Sequence, residues 1–145
     1  GGAAVHRRRG GVGYPGSAVM SVRLWLPGER PVSWNQFYAG GGKARYKRAV
    51  EASRVHELVY YSMLEKLGCE IDPFPVPVGI TITAYFDKRP MDADNVVAKV
   101  YIDGLVHAGL LVDDNPTYVD SVTTRSRKAG KHQPPGVEII IEEAE

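Results

Sequence analysis

The chain has 145 residues, 43% hydrophobic and 24% charged, with a formal net charge of +1. That is long enough for one domain with its own core, so neither disulfides nor structural zinc is needed to hold it. Cys69 is the only cysteine, which excludes an internal disulfide and fits a reducing compartment, so the cytoplasm is the expected location; the four histidines lack the spacing of a zinc site.

Residues 1–19 are glycine-rich, carry Arg7, Arg8 and Arg9, and contain no apolar run that could serve as a signal-peptide core or membrane span. They read as a flexible leader or non-native tail, and residues 20–145 as a single domain with no membrane partner. Without the three leader arginines, 15 basic residues stand against 17 acidic ones, so the domain is not globally basic. Its positive charge is bunched in Lys43, Arg45, Lys47, Arg48 and Arg54, and again in Arg125, Arg127, Lys128 and Lys131. Such runs track a phosphate backbone or form ordinary solvated faces.

Residues 22–26 read as a short strand. Residues 27–42 follow as a loop whose prolines, glycines and asparagine argue against regular structure. Within it, Asn35 could bond to backbone phosphates, and Tyr38, Phe37 or Trp34 could stack on an opened base; the alternative is a packed loop with a buried tryptophan. Gly40-Gly41-Gly42-Lys43 lacks the Walker spacing, so no nucleotide cofactor is expected. Ala52, Val55, Val59, Met63 and Leu67 recur at three- and four-residue steps and predict a helix over 45–67, stopped by Gly68.

Pro73, Pro75 and Pro77 make a stiff connector, after which alternation predicts a strand over 78–86. A helix is expected over 94–108, with Val97, Val100, Tyr101, Gly104 and Ala108 on one side and Val96, Ile102 and Val106 on another. Two apolar sides suggest the sheet covers one and something else, such as a partner subunit, the other. Residues 118–125 and 137–142 read as two more strands. The fold class is α+β: a mixed sheet with two packed helices, in the order strand, helix, strand, helix, strand, strand.

Acidic pairs flank the second helix, Asp92 and Asp94 before it and Asp113 and Asp114 after it. Each pair has a structural role open to it, since Asp and Asn cap helix N-termini and Asp-Asp-Asn-Pro is turn chemistry. Together they exceed what caps need. Were the helix ends to meet one surface, four carboxylates would converge and require a divalent cation to stay ionised.

Asp92-Ala93-Asp94-Asn95, then Lys99 and Asp103-Gly104-Leu105, Ala108-Gly109-Leu110 and Val112-Asp113-Asp114 resemble the core signature of the RusA-type Holliday-junction resolvases. Leu26-Pro27 and Ser33-Trp34-Asn35-Gln36-Phe37-Tyr38 resemble that family's proline-rich first loop, and the resemblance covers residues 20 to about 142. It implies a homodimeric endodeoxyribonuclease that resolves four-way DNA junctions by paired symmetric nicks in recombination and repair. Position by position, it implies that Asp92, Asp94 and Asp114 are essential acids, that Asp113 joins them at the metal, and that Lys99 is the catalytic lysine. The implied cofactor is Mg²⁺, with Mn²⁺ as an alternative ion, bound through a few carboxylates and the substrate phosphate.

The chain departs from the family pattern in one place: Val96, Val97 and Ala98 separate Asn95 from Lys99, where the family has two residues. On a regular helix the extra residue rotates the lysine by about 100°. A π-bulge or a later helix start would absorb it; otherwise Lys88 or Arg89 could supply the charge. DNA contacts are expected from Asn35, Tyr38, Lys43, Arg45, Lys47, Arg48, Arg125, Arg127 and Lys128. Two alternatives stay open, a non-cleaving dimer that binds branched DNA and a metal-dependent phosphodiesterase acting on other nucleic acids.

Overall fold

In the computed structural model, which describes residues 20–38 and 40–144, the first strand, β1 (Ser21–Pro27), buries Val22, Leu24 and Leu26 on one face. The leader assigned to residues 1–19 lies outside the described residues. Strict alternation is what a strand with one covered face requires. β2 (Val78–Phe86) and β4 (Gly136–Glu143) alternate in the same way, contributing Ile80, Ile82, Phe86, Val137, Ile139 and Ile141 to the core.

The four strands form one open mixed sheet in the order β1-β4-β2-β3, where β3 is Val119–Lys128. β4 runs antiparallel to both neighbours, with Ile139 opposite Leu24 on one side and Ile82 on the other. β2 and β3 are parallel, with Thr83 opposite Arg125 and Tyr85 opposite Arg127. A parallel pair needs a crossover, and the chain between these strands supplies one by way of a helix.

The helices pack on a single face. α1 (Trp34–Phe37) is one turn, and α2 (Ala44–Leu67) turns Val55, Val59, Met63 and Leu67 inward. α3 (Ala98–His107) buries Val100, Tyr101, Ile102 and Leu105. Gly104 lets α2 and α3 approach, because a Cβ there would stand 3.1 Å from Val59 Cγ2. Each fully buried aliphatic side chain contributes about 1.5–3 kcal/mol to the folded state. Gly68, at φ 83°, stops α2, and its N–H bonds the Leu64 carbonyl. Among the described residues no helix is long and apolar enough to cross a membrane.

The structure corrects three expectations. The loop over 27–42 is not wholly irregular: Ser33 and Gln36 form a reciprocal capping box that starts α1. The helix expected from Asp94 begins at Ala98 instead. Residues Ala93–Asn95 form a 3₁₀ turn, after which Val96 and Val97 are extended and buried, with Val96 bridged to Ser33. β-branched side chains favour that extended state over a first helical turn. Finally, the second apolar stripe, for which a partner subunit was one candidate cover, has Val96 and Ile102 already buried within the single chain.

Candidate functional site

The first acidic pair sits on the 3₁₀ turn, which is pinned from two sides. Thr124 Oγ1 on β3 donates to the Ala93 carbonyl at 2.8 Å, and Val96 bridges Ser33. Asp92 and Asp94 are both exposed there. The capping role open to them is not taken: Asp92 precedes the 3₁₀ turn and Val97 precedes α3, and neither position makes a side-chain cap hydrogen bond. Among the described residues, no hydrogen bond or ion pair engages either carboxylate. Carboxylates free of structural duty are available to a ligand.

In the second pair the two acids divide roles. Asp113 Oδ1 accepts from the Asp114 N–H at 2.7 Å, and its Oδ2 accepts from Asn115 Nδ2 at 3.2 Å. Asn115 Oδ1 in turn accepts from Thr117 N–H at 2.9 Å. Asp113 and Asn115 therefore build the turn. Asp114 points elsewhere, with Oδ2 lying 3.5 Å from Lys99 Nζ.

Lys99 also reaches Asp103 Oδ1 at 3.3 Å, so its ammonium bridges α3 and the acidic turn. The hydrogen bond and charge of Asp103, followed by the charge of Asp114, hold the lysine above its ordinary pKa, so it is cationic at neutral pH. The later helix start absorbs the extra residue before Lys99: with Val96 and Val97 extended, the 100° rotation expected on a continuous helix does not arise. Sequence reasoning gave Asp103 no role at the site; it lies at i,i+4 from Lys99 on α3 and pairs with it beside Asp114. The signal was the four-residue spacing.

The donor set suits a hard cation, since every candidate ligand is a carboxylate. A ready-made cage is another matter: among the described residues no group of three or more His, Cys, Asp or Glu stands close enough to hold an ion. Mg²⁺ commonly binds through one or two carboxylates together with substrate phosphates. The residues fit that mode, and they do not fit a cage assembled before substrate arrives.

The basic residues occupy two places. Lys43, Arg45, Lys47 and Arg48 lie at the N-terminal end of α2, where the first turn has no acid and the N-cap makes no side-chain hydrogen bond. Cations there oppose the helix dipole, so an anion placed among them would be stabilised. Arg48 covers the Tyr38 ring at 5.4 Å, and Tyr38 stacks on Trp34 with centroids 5.1 Å apart and planes at 10°. Tyr38 also engages the third ring of this loop, Phe37 meeting it edge-on at 5.0 Å. Asn35 is exposed on α1. Arg125 and Arg127 share one face of β3 by alternation, and Lys128 ends the strand.

Arg54 belongs with neither basic group. It grips Glu29 through two hydrogen bonds of 2.7 and 3.1 Å and Glu51 through two of 2.6 and 3.1 Å. Glu29, 6% exposed, also accepts from the Tyr101 hydroxyl at 2.8 Å. Burial and the Glu29 charge push the Tyr101 hydroxyl far above the tyrosine range, and the two carboxylates likewise raise Arg54. This network joins the end of β1 to α2 and to the same helix that carries Lys99. Sequence reasoning missed Glu29, which nothing in its surroundings distinguishes from a surface acid.

No protein-family model matches the chain, and a search of curated proteins finds no match.

Proposed function

We propose that the chain is a Mg²⁺-dependent endodeoxyribonuclease acting on branched DNA, with the four-way junction as preferred substrate, working as a homodimer in DNA recombination and repair. The observation that carries this reading is Lys99 held between Asp103 and Asp114. A lysine and an acid that resemble the RusA-type catalytic pair stand side by side although one residue is inserted before the lysine. Of the acids the resemblance singles out, Asp114 and one of Asp92 and Asp94 would hold Mg²⁺ or Mn²⁺ together with the substrate phosphate, while Asp113 shapes the turn beside them. The ion would supply Lewis-acid chemistry at the scissile phosphodiester.

The chain's own part is positioning and charge. Lys99 stays protonated and can exchange Asp114 for a phosphate oxygen, offsetting negative charge that builds up during displacement. Asp103 limits the directions in which it can move. The cations at the start of α2 and on β3 suit a phosphate backbone, and two acidic sites related by a twofold axis suit paired nicks in a quasi-symmetric junction. The lone cysteine supports a reducing, cytoplasmic setting.

The lack of a grouped carboxylate triad among the described residues favours a second reading, a dimer that binds branched DNA without cutting it. A labelled synthetic four-way junction separates the two. The nuclease reading expects nicks in Mg²⁺, none in EDTA, and none from Asp114→Asn with junction binding retained. Tight junction binding with no nicks at any Mg²⁺ or Mn²⁺ concentration would leave the binding-only dimer; equal cutting of linear duplex and RNA would leave a general phosphodiesterase.

A further inference from the structure

Much of the exposed apolar surface is gathered on one side of α2. Tyr46, Val50, Tyr60 and Tyr61 are 72%, 51%, 43% and 62% exposed, against an opposite face buried at Val55, Val59, Met63 and Leu67. Tyr46, Val50, Ser53, Glu57, Tyr60 and Leu64 follow one another at alternating steps of four and three, the spacing of a helix-pairing seam. A cleft of about 600 Å³ opens beside the seam, lined by Ser53, His56, Glu57, Tyr60, Tyr61 and His107. A solvated helix face needs none of these large rings.

The charge pattern identifies what covers this face. Lys47 and Glu65 are 18 residues apart, five whole turns at 3.6 residues per turn, so they lie on one line along the same edge of the seam. Both are exposed, and among the described residues neither has an ion-pair partner in its own chain. When two copies of α2 pack antiparallel about a twofold axis near residue 55, Tyr46 faces Leu64 of the other copy, Val50 faces Tyr60, and Ser53 faces Glu57. The same operation preserves the lateral edge, so Lys47 of each copy meets Glu65 of the other, twice per dimer. A parallel pairing about a twofold axis along the helices would put the two Lys47–Glu65 lines on opposite edges, where they could not meet.

We infer that the exposed seam of α2 is a homodimer interface, in which two copies pack antiparallel and pair Lys47 with Glu65 across it. This deepens the homodimer part of the reading above and rests on that reading for the premise that two copies associate. Lys47 then leaves the DNA surface for the interface, while Lys43, Arg45 and Arg48 remain outside the seam. The cleft beside Tyr60 receives the apolar side chains at positions 46 and 50 of the other copy.

Sedimentation velocity on the full chain over a micromolar concentration series tests it, with circular dichroism to confirm that each variant is folded. Since the altered positions are exposed, folding should be unaffected. Val50→Lys, which buries an unpaired charge against Tyr60 of the other copy, and Lys47→Glu, which sets two acids against each other, should each weaken dimerisation at least about tenfold. The double variant Lys47→Glu/Glu65→Lys restores opposite charges and should return to within about threefold of the parent. A dimer unaffected by Val50→Lys, or an unrescued charge swap, overturns this interface and leaves the homodimer reading standing. A parent chain that is monomeric throughout overturns both, whatever the junction assay shows.

Discussion

Replacing Glu29 by alanine probes the link between the packed helices and the candidate site. The carboxylate accepts two hydrogen bonds from Arg54 and one from the Tyr101 hydroxyl. Arg54 is 43% exposed and keeps Glu51, so water and that second acid absorb much of its loss. Tyr101 is 1% exposed and has no such recourse. A stranded buried hydroxyl costs about 1–3 kcal/mol, and a charged hydrogen bond discounted for exposure adds about 1. Glu29→Ala should therefore lose about 3 kcal/mol in urea unfolding and lower Tm by about 10 °C. Tyr101→Phe removes the hydroxyl itself and should lose only about 1 kcal/mol. In the double variant no hydroxyl is stranded, so the two effects should fall short of additivity by about 1–2 kcal/mol. A loss below about 1 kcal/mol for Glu29→Ala, or simple additivity, would refute the assignment of Glu29 as the joint between β1, α2 and α3.

Two further outcomes follow from the surface and from α2. Replacing Arg125 and Arg127 by glutamine should weaken junction binding uniformly across sequences and reduce the slope of log affinity against log salt by about 0.9 per lost phosphate contact; an unchanged slope moves the DNA surface off β3. His56 is held below its ordinary value of 6.5 by burial, then by the neighbouring His107, with Asp103 opposing. The unfolded chain thus takes up a proton at His56 before the folded one does, so this contribution to stability is complete above pH 6.5 and declines as pH falls from there toward the lowered folded value. Comparing urea midpoints of the parent and His56→Phe across that window should show a shallower decline in the variant; parallel curves would sink the idea.

Much of the fold could be read from residue periodicity, because β1, β2 and β4 bury alternate residues. The pattern in Val22, Leu24 and Leu26, and again in Ile80 and Ile82, is fixed by burial alone. α1 escaped notice because its stability is local and polar, resting on Ser33 and Gln36 rather than on apolar spacing. The start of α3 was misplaced for the opposite reason: Val96 and Val97 are apolar at helical spacing, yet a bridge to Ser33 holds Val96 extended. At the site, the Lys99–Asp103 pair has an i,i+4 spacing that the sequence displays, whereas the approach of Asp114 depends on a turn whose course no local pattern states. Glu29 could not be found at all, since its partner Tyr101 is 72 residues away.

The position of β4 bears on how the chain reaches this state. It is the last of the four described strands in chain order, yet it lies inside the sheet, hydrogen-bonded to β1 on one side and β2 on the other. Until it is in place, β1 has no partner in the sheet among the described residues, and the apolar faces of β1 and β2 lack the strand that joins them. Assembly of most of the core therefore waits on contacts between residues more than a hundred positions apart, such as Leu24 with Ile139. During that interval the unpaired edges of β1 and β2 are open to pairing with other chains.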